Sequence, residues 1–259
     1  MNNHPIGIID SGIGGLSIAQ TIYQQLPQES TIFLADHQFL PYSGKSIQII
    51  NQRLVKIINY LVNKNCKVIV VACNTITTSS IDFLRSIYKL PFIGTVPAIK
   101  PAIEKNLKEN ILVLATEATV NSQYHQDIIK SLDKKGKIAA IACPGLAEAI
   151  EVGNQQGIIK EFKKHLKKAN QNYSAVVLGC THYILIKNLI KKILPPHTLI
   201  IEPSQAIAKQ TQAILKQHNL FTSVKNPKHV FLTTKNPNQA STTASKLLHK
   251  SIIFTKCNL

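Results

Sequence analysis

Five cysteines, Cys66, Cys73, Cys143, Cys180 and Cys257, are the residues whose chemistry has to be placed first. Their count is odd and no two are spaced C-x-x-C, which argues against a disulfide framework and against a structural zinc site. A thiol outside such a framework is either a small buried apolar group or a reagent. Two of the five stand apart. Cys73 closes the apolar run Val68-Ile69-Val70-Val71-Ala72 and is followed by Asn74-Thr75; Cys180 closes Ala175-Val176-Val177-Leu178-Gly179 and is followed by Thr181-His182. An apolar run, a thiol and then hydrogen-bonding residues that open a helical stretch place each sulfur at a strand end and a helix N-terminus. There the helix dipole and free backbone N–H groups lower a thiol pKa from its usual value of about 8.5, so that it serves as base or nucleophile near neutral pH. Two such thiols could face one carbon from opposite sides, one taking a proton as thiolate and the other returning one as thiol. That chemistry inverts a stereocentre and needs no cofactor and no metal. It does need oriented bases, donors for a carboxylate and exclusion of water.

Other residues join the pair. Asp10-Ser11-Gly12-Ile13-Gly14-Gly15 follows an apolar run, but its spacing is not G-x-G-x-x-G and no Walker lysine follows, so it reads as a tight turn that presents Asp10 and Ser11 and offers N–H groups to a carboxylate. Pro41-Tyr42-Ser43-Gly44-Lys45-Ser46 lacks the upstream glycine of a P-loop and reads as a loop covering a substrate. His182, two residues beyond Cys180, can modulate that thiol or act as an acid. Cys66 and Cys257 lack the strand-end context and read as packing residues. Cys143 ends an apolar run but is followed by Pro144.

The elements that must hold these groups are legible as periodicity. Short Ile- and Val-rich runs at Ile6–Asp10, Thr31–Asp36, Lys67–Cys73, Pro91–Val96, Asn110–Thr116, Lys137–Cys143, Ser174–Cys180, Leu199–Pro203, His229–Thr234 and Ser251–Thr255 alternate with amphipathic stretches. Leu16, Ala19, Ile22, Tyr23 and Leu26 keep helical spacing, as do Ile47, Ile50, Leu54, Ile57, Ile58 and Leu61. The alternation predicts an α/β protein with mainly parallel sheets flanked by helices, whose ligands gather at the carboxyl ends of the strands. The repeated thiol pattern predicts two pseudo-symmetric halves, with Pro97 and Pro101 bracketing the crossover between them.

The 259 residues suffice for one large domain or two packed ones, and no apolar run approaches a membrane span. No secretory signal precedes the first strand, so a cytoplasmic location is expected. The net charge is +17, which invites a nucleic-acid reading. Against it, only Arg53 and Arg85 are arginines, lysines are scattered with short groups at Lys134-Lys135, Lys163-Lys164 and Lys167-Lys168, and there is no tryptophan for a stacking platform. A lysine-rich solvated surface that attracts small anions is the reading adopted, with nucleic acid not the main partner.

These motifs carry a resemblance. Asp10-Ser11-Gly12-Ile13-Gly14-Gly15, Pro41-Tyr42, Ala72-Cys73-Asn74-Thr75, Val96-Pro97-Ala98-Ile99-Lys100-Pro101, Ala115-Thr116 with Thr119, and Leu178-Gly179-Cys180-Thr181-His182-Tyr183 occur in the order found in the cofactor-independent aspartate/glutamate racemases, and the sequence is similar to their glutamate racemase branch. The resemblance implies interconversion of L- and D-glutamate, supplying D-glutamate for peptidoglycan in a bacterial cytoplasm, by two α/β domains with the active site at their interface. Residues 1–97 with 208–259 would form one domain and residues 98–207 the other. It assigns Cys73 and Cys180 as the two bases, acting on the D- and L-enantiomer respectively. Asp10 and His182 would assist the thiols together with Glu151, for which Glu148 is a competitor. Asp10, Ser11, Pro41, Tyr42, Ser43, Asn74, Thr75, Thr116, Thr119, Thr181 and His182 would contact glutamate. A homodimer is a further expectation from the family.

The sequence departs from the family pattern where Ser43 replaces the glycine after Pro-Tyr and where Glu117-Ala118 replaces Arg-Gly between the two threonines. The first strand begins close to the N-terminus, so the extension linked in some relatives to activation by a cell-wall precursor is not expected. Competing readings are a racemase of aspartate or a hydantoin, a basic nucleic-acid-binding protein whose affinity falls steeply with salt, and a cysteine hydrolase using Cys180 with His182, which leaves Cys73 without a role.

Overall fold

Ten strands coincide with the ten apolar runs to within a few residues at their ends. The computed structural model describes residues 2–105, 110–133, 136–169 and 173–259, so the Lys134-Lys135 group lies outside the described residues. In chain order the elements are β1 (Ile6–Asp10), α1 (Leu16–Gln25), β2 (Thr31–Ala35), α2 (Ile47–Asn63), β3 (Val68–Val71), α3 (Asn74–Ile87), β4 (Phe92–Gly94) and α4 (Ile99–Glu104). Then come β5 (Asn110–Ala115), α5 (Glu117–Asn121), α6 (Gln123–Leu132), β6 (Ile138–Ala142), α7 (Leu146–Val152), α8 (Gln155–Leu166), β7 (Tyr173–Gly179), α9 (Thr181–Leu185), α10 (Lys187–Ile193) and β8 (Leu199–Ile201). The chain closes with α11 (Ser204–Gln217), β9 (His229–Thr233), α12 (Pro237–Leu248) and β10 (Phe254–Lys256).

The strands form two sheets, ordered β10-β9-β2-β1-β3-β4 and β6-β5-β7-β8, and every strand pair among the described residues is parallel. The order β2-β1-β3-β4 in the larger sheet is repeated as β6-β5-β7-β8 in the smaller. Each sheet therefore reverses its winding once, between β1 and β3 and again between β5 and β7, and such a switch point opens a crevice at the carboxyl ends of the strands. Cys73 follows β3 and Cys180 follows β7, so the two thiols occupy topologically equivalent positions. The fold is thus the doubly lobed α/β arrangement anticipated from the alternation.

Both faces of each sheet are covered, which accounts for the near-continuous apolar strands. In the larger sheet Ile6, Ile8, Val68 and Val70 join a core with Leu16, Ile22 and Leu215, whereas Ile9, Ile69 and Val71 face Leu54, Ile57 and Leu84. Residues two apart share a face, as a pleated strand requires. In the smaller sheet Leu112, Leu114, Val176 and Leu178 pack with Ile150, Ile158 and Phe162, and Ile111, Val113 and Val177 pack with Ile99 and Ala102. Ile47 is the exception to the spacing of α2: at the first helical position it is 57% exposed. Cys66 and Cys257 sit in the α2-side core as packing residues.

The chain crosses between sheets at residues 95–98 and again after β8. Pro101 lies within the first turn of α4, where its missing N–H has no intrahelical acceptor to lose. After β8, α11 returns the chain to the larger sheet by packing Ile207, Ala208 and Leu215 beside α1. The position 207/208 lies inside α11. No helix among the described residues is long and apolar enough to cross a membrane. No cluster of three His, Cys, Asp or Glu able to hold a metal is found among the described residues.

Candidate active site

A cavity of about 190 Å³ opens where the carboxyl ends of the two sheets meet. The larger sheet contributes Ser11 after β1, Pro41, Tyr42 and Ser43 from the loop before α2, and Cys73, Asn74 and Thr75 from the β3–α3 junction. Thr116, Thr181, His182 and Cys180 come from the smaller sheet. Asp10, Thr119 and Glu151 stand one layer behind this lining rather than in it. Leu40, Gly44, Glu117, Cys143, Pro144, Ala147 and Glu148 complete the wall. Of these, Pro144 precedes Gly145, the left-handed N-cap of α7, while Ala147 and Glu148 lie in the first turn of that helix.

Cys73 caps α3, and its thiol points to the Ser11 hydroxyl at 3.8 Å. The Ile76 N–H at the helix N-terminus favours the thiolate, as the sequence suggested. Yet the expected lowering of pKa does not result here: burial and the neighbouring Asp10 carboxylate outweigh it and push the thiol well up. Asp10 itself is raised by burial, against hydrogen bonds that favour its charge. Its Oδ1 accepts from the Ser11 N–H at 2.8 Å, and its Oδ2 accepts from the Gly15 N–H and, at 3.0 Å, from the Thr181 hydroxyl of the other lobe. With its oxygens so engaged, Asp10 organises the turn and ties it to α9.

Cys180 caps α9 and lies 3.8 Å from Nδ1 of His182. The opposite ring nitrogen, Nε2, is 2.7 Å from Glu151 Oε1. Burial works against charge on His182, but the bonds to Cys180 and Glu151 prevail and raise its pKa well above the usual value. Burial likewise opposes charge on Glu151, and His182 and His37 overcome it, holding the carboxyl well below the ordinary carboxylate range. Glu151 also accepts from the Ile13 N–H at 2.6 Å and lies 3.1 Å from His37 Nε2. Between the two acidic candidates the geometry distinguishes clearly: Glu151 is bonded to His182, whereas Glu148 lines the cavity.

The glycine turn serves this contact between lobes. A Cβ on Gly14 would come within 2.6 Å of the His182 backbone nitrogen and of the Thr181 hydroxyl, and one on Gly12 would overlap the Glu151 carboxylate. The carboxylate that Ile13 meets belongs to the protein. On the far side, the hydroxyls of Thr75 and Thr116 lie 2.9 Å apart across the lobes, and Thr116 bonds Thr119 at 2.9 Å. Ser43 Oγ accepts from the Ala118 N–H at 3.3 Å, so the two departures from the family pattern, at Ser43 and at Glu117-Ala118, meet each other. The Tyr42 hydroxyl donates to Asp36 at 2.7 Å, and Asp36 is gripped by Arg53 at 2.6 and 2.8 Å. Arg53 thus fixes the covering loop by a forked ion pair.

Asn74 holds an unspent acceptor. Its Nδ2 donates to the Thr95 carbonyl at 3.3 Å, and its buried Oδ1 has no hydrogen-bond partner among the described residues.

The sequence model of the Asp/Glu/Hydantoin racemase family matches residues 6–211. A glutamate racemase of Clostridium perfringens is 35% identical over 231 residues, covering 87% of this chain and 88% of that protein. One from Herpetosiphon aurantiacus is 36% identical over 226 residues, covering 85% and 88%. Among solved structures, a glutamate racemase isoform from Bacillus anthracis superposes with a TM-score of 0.88 at 29% identity, covering 100% of this chain and 99% of the other. That of Francisella tularensis in complex with D-glutamate gives 0.85 at 30% identity, covering 100% and 98%. The chain therefore belongs to the Asp/Glu/Hydantoin racemase family, within its glutamate racemase group, and is an amino-acid isomerase.

Proposed function

We propose that this chain interconverts L- and D-glutamate by a two-base exchange at Cα between Cys73 and Cys180, without a cofactor. The reading rests on one observation above all: equivalent strand ends of the two sheets deliver one thiol each to the same cavity. In the direction from L to D, the Cα–H proton passes to Sγ of Cys180 as the electron pair stays on carbon. Sγ of Cys73 then gives its own proton to the opposite face, leaving that sulfur as thiolate. The reverse direction exchanges the roles, and no atom is gained or lost.

The surroundings suit this sequence of events. A raised pKa keeps the Cys73 thiol loaded with the proton it must deliver. His182, cationic through its bond to Glu151, stands where a Cys180 thiolate needs a partner. The unpaired acceptor of Asn74 suits the substrate ammonium, while the N–H groups opening α3 and α9, with Ser11, Thr75 and Thr181, suit the carboxylates. Pro41, Tyr42 and Ser43 cover the site, and Thr116, held from behind by Thr119, completes its far wall. The Francisella relative is named as a complex with D-glutamate, and the same ligand is assigned here. By similarity to bacterial glutamate racemases, the D-glutamate formed would enter peptidoglycan in the cytoplasm.

The test is incubation with L-glutamate in deuterated water, no cofactor added, following optical rotation and the Cα proton signal. Loss of rotation with deuterium entering the D-product is the expected result. Racemisation without solvent deuterium, or no racemisation of glutamate while aspartate is racemised, would overturn the assignment.

A further inference from the structure

Behind Glu151 lies a second cavity of about 190 Å³, separate from the substrate site and lined by His37, Glu148, Glu151, Lys235, Asn236 and Gln239 among others. His37 follows Asp36 beyond β2 and belongs to none of the sequence motifs. Its Nε2 lies 3.1 Å from Glu151 Oε2, and its Nδ1 lies 2.7 Å from the Thr233 hydroxyl at the end of β9. The Phe254 ring of β10 meets the imidazole edge-on at 6.3 Å. The ring is therefore fixed on three sides and spends one nitrogen on the carboxylate oxygen that His182 leaves free.

We propose that His37 is a positioning residue for the racemase reaction: it orients Glu151 toward His182, and so completes a line Cys180–His182–Glu151–His37–Thr233 that has no counterpart behind Cys73. The inference rests on the two-cysteine reading above. Distances along the line are 3.8, 2.7, 3.1 and 2.7 Å. Behind Cys73 the corresponding contact is the Ser11 hydroxyl, itself next to Asp10, whose oxygens are taken by backbone N–H groups and Thr181.

The charged groups facing this corner are Glu148 and Glu151 from α7, His182 from α9 and Lys235 beyond β9. Asp36, the chain neighbour of His37, is turned away into Arg53, Tyr42 and Thr234. Loss of His37 removes one of the two histidines that hold the Glu151 carboxyl down, so Glu151 takes up a proton at higher pH. The carboxylate charge that pairs with His182 is then lost earlier as the solution is acidified.

The experiment compares the pH dependence of kcat and KM for wild type, His37→Leu, His37→Gln and Thr233→Val. His37→Leu should move the acid limb of kcat up by about one pH unit, a tenfold loss at a fixed pH on that limb, with KM within about twofold because His37 does not line the substrate cavity. His37→Gln, which keeps a donor for Glu151, should return the limb toward wild type. Thr233→Val, nearly the same shape, loosens the ring from behind and should shift the limb the same way by less; it carries the test if His37→Leu does not fold. An unmoved limb in both His37→Leu and Thr233→Val, or a shift in His37→Gln as large as in His37→Leu, overturns the role of His37. Racemisation surviving in Cys180→Ala would instead overturn the two-cysteine reading, and the two failures are told apart in the same assay.

Discussion

Cys73 and Cys180 cap equivalent helices at equivalent switch points, yet their sulfurs meet different company. Around Cys73, burial and the Asp10 carboxylate raise the pKa of the thiol, opposed by the Ser11 hydroxyl, whose contact favours the thiolate. Around Cys180 stands an imidazole whose other nitrogen is paired with a carboxylate, which favours separated charge. If the two thiols exchange the proton as proposed, two unlike environments serve the two faces of one carbon. Duplicated topology delivers the thiols, and unduplicated side chains make their surroundings differ.

The comparison can be broken most directly at sulfur. Cys73→Ala and Cys180→Ala should each reduce racemisation by about 10²–10⁴-fold or more, measured by circular dichroism of glutamate, while far-ultraviolet spectra stay unchanged. If either variant stayed active, its lobe would be a scaffold only. Glu151→Gln should lower kcat roughly tenfold or more by removing the charge that pairs with His182. Glu148→Gln should stay within about threefold, less than 1 kcal/mol of barrier, so the pair separates the two acids.

Asp10→Asn probes the other side. The Asp10 charge helps raise the Cys73 thiol, so its removal should lower the pH at which Cys73 ionises by about one unit. Site-resolved alkylation against pH reads this: Cys73 should label about tenfold faster on the acid side of its midpoint, while Cys180 labelling moves less. A smaller effect than those at sulfur or Glu151 is expected for Thr75→Val, which removes the 2.9 Å contact to Thr116. Loss of one neutral hydrogen bond corresponds to a change of about twofold to tenfold in KM.

Periodicity made the strands legible because burial on both faces of a parallel sheet leaves long apolar runs, and it made the thiols legible because each belongs to a strand–helix junction contained in a few residues. Glu151 was named only through family resemblance and its pairing with His182 not at all, since that pairing joins the ends of two helices whose separation in space no local pattern encodes. His37 escaped notice for the same reason: its partners, Glu151 and Thr233, come from distant segments. Gly12 and Gly14 were visible as a turn, but the reason for them lies in α9 and Glu151 of the opposite lobe. Helix position also misled about Cys73, because a nearby carboxylate and burial depend on packing rather than on the order of residues.

The tight approach at Gly14 has a mechanical consequence. There backbone abuts backbone with no side chain between, and parting the lobes at this point breaks the Asp10–Thr181 bond. The opposite rim is joined by the Thr75–Thr116 and Ser43–Ala118 contacts, each a single neutral hydrogen bond. Parting the lobes on the Ser43 side costs only those two neutral contacts, so that rim is the weaker seam of the cavity.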